Sequence, residues 1–202
     1  MNHTIETQVV LDKFLPRWYQ EELWDAIENE GYRKIFYVAP RRAGKDLSCF
    51  NLAIRQCMRK TCLVYHCLPT YGQARKAVWD AIDMNGNSFL SYVPKQAIQA
   101  INQQEMKIRF KNGSILQVIG ADSYNTSLVG TNPFMIIFSE YSRMAEGSLA
   151  YQFASPILAA NKGIFIAITT PFGRNHAYDL LWQLKNYLIG MLSIKRLQRL
   201  IT

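Results

Sequence analysis

The stretch "KIFYVAPRRAGKDLSCFNLAIRQCMRK", Lys34 to Lys60, decides the fold. Its opening, "KIFYVA", is a short apolar and aromatic-rich run without a polar break, which suits a strand buried on both faces. Its second half, "DLSCFNLAIRQCMRK", carries apolar residues at intervals of three and four and predicts a helix. An Arg-rich loop joins them. Strand, tight loop and helix N-terminus are the parts of a phosphate cradle, in which inward-turned backbone N–H groups and a lysine face the anion. Against the pattern G-x-x-x-x-G-K-[ST], the first Gly is Ala39 and the closing hydroxyl residue is Asp46. Gly44 still permits close backbone approach, and Lys45 still supplies an ammonium group. Asp46 has two readings: a first-turn acid that favours the helix macrodipole, or a carboxylate placed beside a metal in the position of the loop hydroxyl.

Upstream, "RWYQEELWDAIENEG" puts Trp18, Leu23, Trp24 and Ile27 near helical spacing and stops at Gly31. Downstream, "TCLVYHCLP" is a second buried strand closed by Pro69. "TYGQARKAVWDAI" then reads as a helix with Ala77 and Ile82 among its inward residues, completing a βαβ unit. "EMKIRFKNGSILQVIG" predicts two antiparallel strands joined at Asn112-Gly113. Two more buried runs, "FMIIF" and "GIFIAITT", end in the polar segments "SEY" and "PFGRNH". The fold class expected is therefore α/β, a mostly parallel sheet with flanking helices and an antiparallel hairpin. In such a sheet the ligand lies beyond the carboxyl ends of the strands, so the first, third and fourth buried runs deliver their trailing residues to one edge.

Composition agrees with a folded domain. The chain has 202 residues, 49% hydrophobic and 19% charged, enough for one domain with a substantial core. Cys49, Cys57, Cys62 and Cys67 lack the paired spacing of a zinc site and are expected as buried free thiols. No charged-then-apolar leader opens the chain and no apolar stretch is long enough for a bilayer, which predicts a cytoplasmic protein. The net charge of +8 suits a polyanionic partner. Residues 31–111 hold fourteen Lys/Arg against four acids, and residues 180–202 hold four Lys/Arg and none.

Hydrolysis at a phosphate cradle needs a carboxylate to position or activate water, usually at the end of a neighbouring buried strand. Glu140 stands there, preceded by Ser139 where an acid is usual. A hydroxyl can order a metal-bound water without adding charge. If Asp46 stands beside the metal, the carboxylate lost at Ser139 is restored from the opposite side. "TTPFGRNH" adds hydroxyls and a tight turn after the fourth buried run.

Taken in order, "PRWYQ", "APRRAGKD", "VGTNPFMIIFSEY" and "ITTPFGRNHAYDLLW" resemble the adenine-side, Walker A, Walker B and coupling motifs of the large terminase subunit of tailed bacteriophages. The resemblance covers roughly residues 14–182. It implies a RecA-like, additional-strand P-loop ATPase that drives double-stranded DNA into procapsids in the bacterial cytoplasm. ATP and Mg2+ are the implied cofactors, and the small terminase subunit and portal are the implied partners of a homo-oligomeric ring. Carried over by motif, Gln20 contacts adenine with Arg17 and Tyr19 framing it. Arg41, Arg42, Ala43, Gly44, Lys45 and Asp46 form the ATP-binding loop, with Arg41 and Lys45 catalytic at the γ-phosphate. Glu140 is the catalytic carboxylate, Asp46 and Ser139 (through water) serve the metal, and Thr169, Thr170, Pro171 and Gly173 form the coupling segment.

The chain departs from the family in three ways beyond Asp46 and Ser139. "SLVGTN" lacks the arginine that many relatives place before the Walker B strand, for which Arg143 or Arg109 is the available substitute. No nuclease domain follows the ATPase region, so nuclease activity is not expected. Residues 183–202 read as an atypical basic tail after a domain at 1–182, as a truncated or frame-shifted copy would show, the alternative being a deliberately separate ATPase protein. Two other readings stand: an inactive nucleotide- or DNA-binding remnant, and a superfamily 2 helicase fragment, for whose second RecA-like domain 202 residues leave no room.

Overall fold

Seven strands form one mixed sheet in the order β1-β7-β6-β2-β5-β4-β3. They are β1 Lys34–Val38, β2 Leu63–Leu68, β3 Ile98–Asn102, β4 Lys107–Phe110, β5 Ile115–Gly120, β6 Met135–Ser139 and β7 Ile164–Thr169. The computed structural model describes residues 11, 13–123, 128, 130–170 and 173–185. Strands β1, β7, β6, β2 and β5 are parallel, and β5, β4 and β3 continue as an antiparallel meander. The β4–β5 hairpin turns at Asn112-Gly113, with Gly113 at φ +87° as such a turn requires.

Side chains alternate across the sheet, as the two-residue strand period dictates. Ile35, Val64, Ile137 and Ile166 pack on one face with α1 (Trp18–Glu28) and α2 (Lys45–Arg59). Phe36, Tyr65, Phe138 and Ala167 pack on the other with α4 (Gly147–Ala160) and α5 (His176–Lys185). The result is a three-layer sandwich. Glu28 at the end of α1 binds both Arg55 and Arg59 of α2 at 2.8 Å, which ties the two helices together. Cys49, Cys57 and Cys67 are buried, Cys62 is half-buried, and all four are free thiols. Among the described residues no helix is long and apolar enough to cross a membrane.

One expected helix face is corrected. The helix α3 (Tyr71–Ala74) passes directly into a π-helical turn, Arg75–Trp79. The wider i→i+5 repeat rotates the face, so Ala74, Val78 and Trp79 are buried while Ala77 is exposed. Ile82 lies past the helix end and is 68% exposed. Residues 186–202, most of the expected basic tail, lie outside the described residues.

Ile137 sits fully buried on the central strand, beside His66 of β2 and Ile166 of β7. Ile137→Ala is expected to cost about 2–5 kcal/mol through the cavity it leaves. Urea unfolding should show a lower midpoint at an unchanged m value.

Candidate active site

The strand register brings the segments named above to one edge. Val38 lies opposite Thr169, and Ser139 opposite Ile168, so β1, β6 and β7 end within a residue of each other. Ala39 continues the ladder by donating its N–H to the Thr169 carbonyl at 3.2 Å. After it the chain must turn at once into α2. It does so with Arg42 at φ +63° and Gly44 at φ +70°. At Gly44 a side chain would be strained and its Cβ would lie 3.0 Å from Gln20 Nε2, which is the physical need for glycine there.

Gln20 braces this loop. Its amide donates to the carbonyls of Ala43 (2.9 Å) and Gly44 (3.3 Å), and its Oε1 accepts from the Arg17 N–H. It is 3% exposed, so its amide is committed to the loop from beneath. Arg17 in turn donates to the Tyr19 hydroxyl at 2.7 Å. A cavity of about 660 Å³ opens above, lined by Arg17, Gln20, Arg41, Arg42, Lys45, Asp46 and Glu140 among others. Tyr19 is not among its lining residues. Arg41 and Arg42 are exposed on its rim.

Lys45 is 6% exposed and donates to the Pro40 carbonyl at 3.0 Å and to Thr170 Oγ1 at 3.2 Å. The loop lysine therefore holds the segment after β7. That segment also grips the turn after β6: Thr169 Oγ1 donates to Ser142 Oγ at 2.6 Å and accepts the Ser142 N–H, and Asn175 donates to the Ser142 carbonyl. His176 Nε2 sits 2.7 Å from the Tyr141 carbonyl. Gly173 is exposed at φ +62°, and Pro171 lies outside the described residues.

Glu140 occupies φ +51°, ψ +39°, a left-handed conformation that costs a non-glycine residue about 1–3 kcal/mol. The strain turns the chain sharply off β6 into the 3-10 turn Tyr141–Arg143, whose first bond is Arg143 N–H to the Glu140 carbonyl at 2.8 Å. Arg143 Nε lies 3.7 Å from the Glu140 carboxylate, beside the cavity. Arg109 stands on β4, paired with β3 and β5 away from this cavity.

His66 is a site residue the motifs did not point to. It lies on β2 with its side chain on the α2 face, fully buried, and its Nε2 meets Asp46 Oδ1 at 3.3 Å. Ser139 shares that face, two residues beyond Ile137, whose register partner is His66. Burial pushes the Asp46 carboxyl up, but the His66 imidazole and the Lys45 charge outweigh it and hold the group below its usual range. Among the described residues, Ser139 Oγ and His66 Nδ1 are the buried side-chain atoms without a hydrogen-bond partner. An orphaned hydroxyl beside a charged carboxylate fits magnesium, which takes one or two protein oxygens and completes its shell with phosphate oxygens and water. No cluster of three or more His, Cys, Asp and Glu suited to a metal occurs among the described residues, so no all-protein cage competes with that arrangement.

The two readings of Asp46 now differ measurably. As a first-turn acid alone it would contribute about 0.3–1 kcal/mol, whereas removing it leaves a buried imidazole without its partner at a cost of about 1–3 kcal/mol. Asp46→Ala is expected to show the larger loss in urea unfolding at pH 7. Because the folded-state carboxyl is held below its ordinary 3.8, this contribution is present at neutral pH. It should disappear as pH falls below that value.

Comparison with known proteins agrees with this geometry. The family model described as "Terminase large subunit, T4likevirus-type, N-terminal" matches residues 36–187, 152 of the 202 residues. Among curated proteins none matches. Of solved structures, the large terminase ATPase domain of Thermus phage P74-26 superposes with a TM-score of 0.64 at 20% identity, covering 85% of this chain and 71% of that one. The large terminase of a thermophilic bacteriophage, in complex with ATP-γ-S, gives a TM-score of 0.62 at 14% identity. There the match covers 84% of this chain and 42% of the longer protein. At these identities the likeness speaks for the fold, and the family model carries the assignment. The chain belongs to the terminase large subunit family, as its N-terminal ATPase domain.

Proposed function

We propose that this domain hydrolyses ATP and uses the energy to move double-stranded DNA into a procapsid. The observation that carries the reading is Glu140, held in a strained backbone conformation at the end of β6 and lining the same cavity as Lys45 and the 39–46 loop. The loop N–H groups, the α2 N-terminus and Lys45 would hold the phosphates. Gln20 keeps the loop in shape from below, and Arg17, on the cavity wall, would face the base. Asp46 and Ser139 would hold magnesium, which when bound supplies neutralisation of phosphate charge.

In the hydrolytic step a water attacks the γ-phosphorus, the bond to the bridging oxygen breaks, and ADP leaves. Glu140 would orient that water and accept its proton, with Arg143 keeping the carboxylate in place. Arg41 at the rim would meet the γ-phosphate charge. A phosphate drawing the Lys45 ammonium away from Thr170 would release one hold on the segment 169–175 and pass occupancy of the site to the α5 layer. The small terminase subunit, the portal and a homo-oligomeric ring, in a bacterial host, are the setting proposed for this cycle.

Glu140→Gln should lower magnesium-dependent phosphate release by roughly 100-fold or more while leaving ATP-γ-S binding in place. Asp46→Ala should weaken ATP binding in the presence of magnesium. A parent chain with no hydrolysis above background would overturn the motor reading in favour of a nucleotide-binding remnant.

A further inference from the structure

The end of the sheet remote from the cavity carries a row of cations. At the N-terminal ends of the parallel strands stand Arg33 and Lys34 (β1), Lys162 (β7) and Lys60 (β2). The Lys60 ammonium lies 3.4 Å from the centroid of the Phe134 ring, at the start of β6. Because β4 and β3 run antiparallel, their hairpin and entry bring Lys111 and Lys95 to the same edge, where the Lys111 N–H bonds the Ala97 carbonyl. All six side chains are exposed. None is within ion-pair distance of a carboxylate among the described residues; Arg55, Arg59, Arg75, Lys107 and Arg143 are each paired, while Lys13, Arg17, Arg41, Arg42, Lys76, Arg109 and Arg174 elsewhere are not.

The acids are segregated. Asp46, Asp83, Glu105, Asp122, Glu140 and Glu146 all lie at or beside the opposite edge, after the strands' C-terminal ends or in the turns there. On the cationic edge Glu28 is already taken by two arginines and Asp25, in the last turn of α1, accepts from the Asn29 amide, leaving Glu30 in the α1–β1 turn. Helix dipoles account for part of the row, since Lys60 follows α2 and Lys162 follows α4. They do not account for Arg33 and Lys34 at a strand start, Lys111 in a hairpin or Lys95 before β3. Arg33, Lys34 and Lys162 further surround a cavity of about 360 Å³, floored by Leu158 and Phe165 and lined by no carboxylate.

We propose that this edge binds the phosphate backbone of double-stranded DNA. Seven strands at about 4.8 Å spacing make a row of roughly 29 Å, close to one helical turn of about 34 Å. Unpaired, exposed cations strung along that length suit a repeating phosphodiester better than a compact acidic patch on a protein. The proposal rests on the packaging reading and names the surface by which the domain would meet its cargo.

The test measures binding of a labelled duplex of about 30 base pairs to the full chain by anisotropy, across roughly 50–200 mM salt. Replacing Lys34, Lys60, Lys111 and Lys162 together by Glu should lower the slope of log K against log salt by about 3–4, and affinity by roughly 100-fold or more. Lys76→Glu, on the π turn whose Arg75 bonds the Gln103 carbonyl by the opposite edge, should change neither as much. Should the fourfold chain melt early, Lys34→Gln with Lys162→Gln should still lower the slope by about 2. An unchanged slope in a stably folded variant, or an equal loss in Lys76→Glu, overturns the surface. Glu140-dependent ATP hydrolysis, read separately, would then survive, so failure of the DNA edge is distinguishable from failure of the motor reading.

Discussion

The constraint on which the site depends is the parallel pairing of β7 with β1 on one side and β6 on the other. Three strands of separate sequence origin end together because their backbone hydrogen bonds set them in one register. Buried on both faces, these strands have no solvent side to trade for a slip, and a one-residue shift would turn the alternate faces over. The phosphate-type loop, the acid after β6 and the hydroxyls after β7 therefore arrive at one edge without contacting each other in sequence. The β1–β7 ladder even extends into the loop, through Ala39 N–H and the Thr169 carbonyl.

At that edge, charge and strain are concentrated where the core could least tolerate them without compensation. Asp46 is kept ionised inside a largely buried setting by groups from two elements, Lys45 on α2 and His66 on β2. Only one of these lies beside it in the chain. Glu140 carries backbone strain next to Tyr141, whose fully buried ring packs against Phe36, Phe138 and Phe165. Its hydroxyl donates to the Gly147 carbonyl at 2.7 Å. That anchored ring is what can hold a strained neighbour, since a loosely packed turn would relax it.

Much of this was legible in the sequence for a local reason. Gly44-Lys45 after a buried run, Asn112-Gly113 between alternating segments, and Glu140 at the end of an apolar run each act within a few residues. What escaped was set by tertiary contact. His66 stood inside a run read only as buried, and nothing in "LVYHCL" says that its face meets the N-terminus of α2. Ala77 and Ile82 followed an α-helical period that the chain abandons at Arg75 for a π turn. The edge strand β3 has a mostly exposed pattern and a register shift between Ile98 and Ala100, so no alternation announced it. The helix α4, with Pro156 inside it, likewise gave no regular stripe. Gln20 was visible as part of "PRWYQ", yet its bonds to the Ala43 and Gly44 carbonyls depend on how α1 packs under the loop.

Lys45 links these parts, because two of its three ammonium protons are already engaged within the protein. It already donates to a carbonyl of its own loop and to Thr170. Hydrogen bonds to a charged group are worth about 1.5–3 kcal/mol each; a polyphosphate in the cradle would take the third proton and, with its greater charge, compete for the other two. Losing the Thr170 bond alone would weaken the hold of Lys45 on the end of β7 by roughly tenfold or more, since about 1.4 kcal/mol is a factor of ten. Thr169 and Asn175 would still hold Ser142. On the proposed cycle, phosphate occupancy and the position of the hydrolytic carboxylate are thus joined through Ser142, and a change in either is felt by the other.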